Sequence, residues 1–164
     1  MVLVRRRTGF VEELVRQLKR ADIAVAGVDR MVLTQQMAVM DLVALGQFLL
    51  LPEDDLTLAT VLKSPLVGLS EDDLFALAYD RRGKHLWDVL SAHGGTRTVF
   101  GKAYDLLAGL LAKVDFLTPA QLYAQVLVTL DGRRKLLARL GFDADDPIDE
   151  FMELALVYER AHPP

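Results

Sequence analysis

Residues 31–164 are punctuated so closely by helix starts and stops that only a succession of short helices fits between them. Thr34 precedes an apolar-rich segment carrying Met37, Met40, Leu42, Val43, Leu45, Phe48 and Leu49, apolar on more than one side as a central helix would be. Pro52 follows its end. A second helix is predicted over 55–62 and breaks at Ser64-Pro65, because the residue before a proline is pushed out of the helical region. Ser70 caps a third over 71–78, with Asp73 at the third helical position and acids in the first turn. Gly83 leads to a short amphipathic segment over 86–90, ended by His93-Gly94-Gly95. A long helix over 98–114 follows, then one from Thr118-Pro119 through Leu130, a cap and first-position pair. Two more are predicted, over 133–140 with Gly141 as stop and over 147–160 with Asp146-Pro147 as start. No fixed-period repeat or low-complexity tract interrupts them.

The first thirty residues differ in kind. Val2-Leu3-Val4 and Ile23-Ala24-Val25-Ala26 are short strand-like runs, and Phe10, Leu14, Val15 and Leu18 between them recur at helical spacing. Strand, helix, strand is the crossover that joins two parallel strands, yet two such strands alone leave exposed what parallel sheets bury. The expectation is a mainly α chain in two parts. Residues 1–30 are the edge of a larger α/β domain, so the chain is a piece of a longer protein, and residues 31–164 are a helical domain.

Composition narrows the function classes. Hydrophobic residues make up 52% and charged residues 26% of 164, a profile that folds rather than one that stays disordered. The net charge of −4 leaves any nucleic-acid surface to be local. The absence of cysteine excludes disulfides, zinc ribbons, iron–sulfur ligation and thiol nucleophiles, and fits a cytoplasmic protein. The apolar stretches 42–51 and 106–112 are interrupted or too short to span a bilayer, so no membrane span is expected. Arg5-Arg6-Arg7 follow an apolar run, the reverse of a signal peptide.

Chemistry-bearing constellations are scarce. Gly101-Lys102 is followed by Ala103 and Gly83-Lys84 by His85, so neither makes a phosphate-binding P-loop. His85, His93 and His162 lack metal-ligand spacing, and Ser64, Ser70 and Ser91 lack the neighbours of a nucleophile elbow. The pairs Asp54-Asp55, Asp72-Asp73 and Asp145-Asp146 each sit where a helix begins, a placement that capping and the helix dipole explain. No catalytic residue, metal site or cofactor is therefore assigned to this chain. Two basic clusters remain, Arg5-Arg6-Arg7 and Arg133-Arg134-Lys135 with Arg139. The first lies past a strand's carboxyl end, where open α/β sheets place ligands or meet a partner; the second reads as a solvated helix face. A third candidate is the turn 63–70, either a connector or a loop whose N–H groups and helix start bind a DNA phosphate.

The order of these features resembles UvrD/Rep-type superfamily 1 DNA helicases. Val2 to Arg7, Val11-Glu12-Glu13-Leu14 and Ile23 to Gly27 are similar to the segment where an arginine-ended strand precedes the second motor domain's insertion. The run from Gln36 to Leu45 is similar to the first insertion helix, the run from Leu62 to Ser70 to the Gly-Ile-Gly-like turn after it, and Leu86-Trp87 to the Leu-Trp of a later helix. Lys63-Ser64-Pro65 is most similar to the turn of AddA helicase-nuclease subunits, which act in double-strand-break repair. The resemblance covers most of the chain and is strongest over 2–77. It implies a helical 2B-type accessory domain after a strand-helix-strand remnant of a RecA-like motor. Gly68, Leu69 and Ser70, with Lys63 and Ser64 beside them, would then touch duplex DNA. The family's second glycine is Ser70 here, a residue with a helix to cap. The resemblance also places ATP and magnesium in the rest of the parent protein and implies DNA, the motor and a nuclease subunit as partners. From another class, the second expectation is a helical protein-interaction module that docks a motor or nuclease partner.

Overall fold

The computed structural model describes residues 32–162 together with Glu13, Leu14, Gln17, Leu18, Ala21 and Ile23. Backbone proximity divides the chain into two units, Met1–Val32 and Leu33–Pro164. In the first, Glu13, Leu14, Gln17 and Leu18 are helical, as their spacing predicts. Gln17 Nε2 donates to Glu13 Oε1 at 2.6 Å, and the Ala21 N–H closes the helical stretch onto the Gln17 and Leu18 carbonyls. Ile23 is exposed and in no regular structure. The expected strands over 2–4 and 24–26, and Arg5, Arg6 and Arg7, lie outside the described residues.

The second unit is helical. After a 3₁₀ turn at Leu33–Gln35 come α1 (Met37–Leu50), α2 (Asp55–Lys63), α3 (Glu71–Ala78), α4 (Leu86–Ser91) and α5 (Val99–Leu111). Then α6 (Pro119–Ala124) widens into a π turn at Gln125–Thr129, α7 (Gly132–Leu140) follows, and a 3₁₀ turn at Phe142–Ala144 leads into α8 (Asp145–Ala161). No strand occurs among the described residues.

Most boundaries follow capping chemistry. Asp54 caps α2 by accepting from the Leu56 and Thr57 amides, and Thr98 caps α5 through the Gly101 amide. Ser70 with Asp73 and Thr118 with Gln121 form reciprocal capping boxes, each satisfying two amides at a helix end. Four boundaries depart from the sequence expectation by more than one residue. Thr34 falls in the 3₁₀ turn, and α1 starts at Met37 after Gln36, which makes no side-chain cap. α5 ends at Leu111 rather than 114. The helix expected through Leu130 changes to π geometry at Gln125, where the Leu130 N–H reaches back five residues to the Gln125 carbonyl at 3.0 Å. α8 starts at Asp145, with Pro147 inside its first turn, where proline's missing N–H leaves no intrahelical bond unmade.

The core is built around α1. Its Ala38, Val39, Leu42, Ala44, Leu45, Phe48 and Leu49 are buried, and it packs against α2, α7 and α8. Phe48 meets Trp87 of α4 edge-on at 5.3 Å, and Trp87 lies 5.1 Å from Tyr104 of α5, so an aromatic chain ties three helices together. The other face of α1 is apolar but open: Met37, Met40, Val43 and Leu50 are exposed.

Candidate functional site

The turn 63–70 links α2 to α3 and is closed by its own hydrogen bonds. Proline at position 65 ends α2 at Lys63, so Ser64 becomes its C-cap and its N–H bonds the Thr60 and Val61 carbonyls. The Ser64 carbonyl then accepts from the amides of Val67 at 3.2 Å and Gly68 at 2.8 Å. Gly68 takes φ +85°, a left-handed conformation that glycine adopts without a side-chain penalty, and this turns the chain back toward α2. The Leu69 amide reaches the Leu62 carbonyl at 2.9 Å, and the Ser70 amide reaches Asp73 Oδ2 at 3.0 Å.

Each candidate residue of the turn therefore has a structural partner. Ser64 is buried and its hydroxyl donates to the Val61 carbonyl at 2.7 Å. Leu69 is buried in the core. The Ser70 hydroxyl donates to Asp73 Oδ2 at 2.6 Å and accepts from the Asp73 amide at 3.1 Å. These bonds hold the Asp73 carboxyl below the usual carboxylate range. Lys63 is ion-paired with Glu71. Gly68 is exposed, but its N–H is already bound. The amides of 67–70 all point to protein acceptors, and Glu71, Asp72 and Asp73 stand at the start of α3. An anion approaching here would meet carboxylates before free donors. Behind the turn lies a small void lined by Leu45, Leu66, Leu107, Val126 and Gly132, with no polar side chain to orient a ligand.

The second basic cluster is likewise engaged. Arg133 grips Asp145 at 2.6 Å and Asp149 at 2.7 Å, locking α7 to the start of α8, and the bond it donates to Asp149 leads in holding its guanidinium protonated. Arg134 pairs with Asp131, and Lys135 Nζ donates to the Leu66 carbonyl at 2.9 Å, pinning the turn from behind. Arg139, in the last turn of α7, is exposed.

The acidic pairs serve helix ends. Asp54 is a cap, held below the usual range first by the Thr57 hydroxyl. Burial pushes the Asp55 carboxyl up, but the Leu86 amide at 2.7 Å, Arg81 and His85 outweigh it and hold it low. Asp145 belongs to the Arg133 clamp. His93 packs on Phe100, and His162 stacks on Tyr158. Among the described residues, no group of three or more His, Asp or Glu could hold a metal ion. No helix among them is long and apolar enough to cross a membrane.

Sequence reasoning missed the loop 79–85, where Arg81, Arg82, Lys84 and His85 flank Gly83. The run of basic residues around Gly83 is its signal in the sequence. In comparisons with protein-family models, curated proteins and solved structures, the chain has no match.

Proposed function

We propose that this chain is the helical accessory domain of a UvrD/Rep-type, AddA-like DNA helicase, where it orients the motor on duplex DNA during recombinational repair. The observation that carries the reading is the turn at 63–70. Lys-Ser-Pro ends one helix, Gly68 reverses the chain and Ser70 opens the next, in the order that resembles the family's duplex-contacting turn. The division of the chain into Met1–Val32 and Leu33–Pro164 supports a helical body distinct from the segment that precedes it in sequence. Gly101-Lys102 sits inside α5. On this reading, nucleotide and metal belong to the rest of the parent polypeptide, and the fragment has no hydrolytic activity of its own.

A second reading, a helical module that docks a motor or nuclease partner, is favoured by the exposed apolar stripe of α1. The two are separated in the parent polypeptide by comparing wild type with Met40→Glu, which places a charge in that stripe. An accessory domain that contacts duplex away from this stripe keeps DNA-stimulated ATP hydrolysis, forked-duplex unwinding and its nuclease subunit in this variant. A parent that hydrolyses no ATP on DNA would overturn the helicase reading. Unchanged unwinding with a lost nuclease subunit would favour the docking module.

A further inference from the structure

The loop 79–85 joins α3 to α4 and holds a conformation that its residues adopt only under constraint. Asp80 (φ +53°) and Arg82 (φ +52°) are left-handed without being glycine, and Gly83 follows at φ +81°. Glycine takes this conformation freely, but a side chain such as that of Arg82 does so at a cost and persists there where the surroundings over-determine it. Here Asp55, at the start of α2, supplies the constraint from both ends of the loop. It pairs with Arg81 on one side and accepts the Leu86 N–H on the other. Arg81 Nε also donates to the Ala78 carbonyl at 3.2 Å, and the Lys84 amide to the Arg81 carbonyl at 3.0 Å.

Arg81 and the His85 ring are thus engaged with Asp55, whereas the cations Arg82 and Lys84 are not. Arg82, Lys84 and His85 are exposed. Arg82 reaches Asp80 only at 3.4 Å, a long contact between exposed groups, and among the described residues Lys84 has no acidic partner. Lys63 at the turn is instead covered by Glu71. The loop and the turn lie at opposite ends of the α2–α3 pair. α2 runs from Asp55 to the turn and the eight residues of α3 run back, a rise of about 12 Å.

We propose that the loop 79–85 is a phosphate-contacting surface for duplex DNA, with Arg82 and Lys84 each holding a backbone phosphate. The inference rests on the helicase reading but assigns the grip to residues outside the turn. Arg82 offers a planar fork to one phosphate and Lys84 a mobile point charge to another. A phosphate displaces the long Asp80 contact at little cost, because both of those side chains are exposed.

The test is fluorescence anisotropy of the 164-residue chain on a labelled blunt duplex across a salt series, for wild type, Arg82→Gln/Lys84→Gln and Arg139→Ala. The double variant is expected to weaken binding at least roughly ten-fold and to reduce the log–log salt slope by about 1.8, about 0.9 for each phosphate released. Arg139→Ala, an exposed cation on a different helix, leaves both unchanged. Circular dichroism should show the double variant folded, since neither side chain holds the loop. Equal weakening by Arg139→Ala, or a double variant that binds like wild type, would overturn the proposal, as would a wild-type chain that ignores duplex at low salt. The helicase reading is judged separately, by DNA-stimulated ATP hydrolysis in the parent, so either idea can fail alone.

Discussion

Gly46 and Tyr123 show how a single atom decides packing at the residue scale. Tyr123 donates its hydroxyl to the Leu42 carbonyl at 3.1 Å across 81 residues, and its ring packs edge-on against Phe151 at 4.8 Å. A Cβ on Gly46 would stand 2.3 Å from that hydroxyl but 3.5 Å from the ring carbon bearing it. Gly46→Ala is therefore expected to destabilise the unit by about 1–2 kcal/mol, the overpacking cost exceeding the helix preference of alanine. In a Tyr123→Phe background the clash is gone, and the same substitution should stabilise by about 0.5–1 kcal/mol. Urea unfolding of the four proteins of this cycle measures the sign. Gly46→Ala costing the same in both backgrounds would mean that the hydroxyl is not the obstacle. This contact was invisible in the sequence, where Gly46 looks like an ordinary blemish in an apolar helix.

At the scale of elements, the residues that bond their own neighbours were the legible ones. Ser70 with Asp73, Thr118-Pro119 with Gln121, and Ser64-Pro65 are local chemistry, and the helices start or stop there as read. Where a boundary depends on distant packing, the reading slipped. The π turn at 125–129 has no local signature and precedes Gly132, where a Cβ would stand 2.6 Å from the Val126 carbonyl. The apolar run of α1 likewise concealed which face is covered. The candidate turn was located by its Lys-Ser-Pro sequence, but its hydrogen-bond accounting was not legible, because the Leu69–Leu62 and Lys135–Leu66 bonds need the folded chain. The Ser70 cap yields a direct prediction. Ser70→Ala removes an acceptor from the Asp73 amide and should cost about 1 kcal/mol, whereas Ser70→Thr keeps both that acceptor and the hydroxyl donor to Asp73 Oδ2 and should cost much less. Thermal or urea unfolding decides it, and a neutral Ser70→Ala would show that the capping box contributes little to α3.

The molecule as a whole responds to pH through carboxylates that folding moves in opposite directions. Asp54, Asp73, Asp131 and Asp149 are held below the usual range by hydrogen bonds, led by Thr57, Ser70, Arg134 and Arg133 respectively. Their stabilisation is present above an unfolded value of about 3.9 and is lost as pH falls through the lower folded values. Asp41 runs the other way. It sits on α1, where burial pushes its carboxyl up to about 6. Below pH about 4 it is neutral folded and unfolded; between about 4 and 6 the unfolded chain ionises first, so stability falls as pH rises, and above that the penalty is constant. Asp41→Asn should consequently stabilise the protein near pH 7.5 by about 1 kcal/mol, a figure reduced for the solvent still reaching a half-buried carboxyl. Near pH 4 it should do almost nothing. Urea denaturation of both proteins at the two pH values reads the difference directly: a gain that is the same at each would locate the effect in helix propensity or packing rather than in the buried charge.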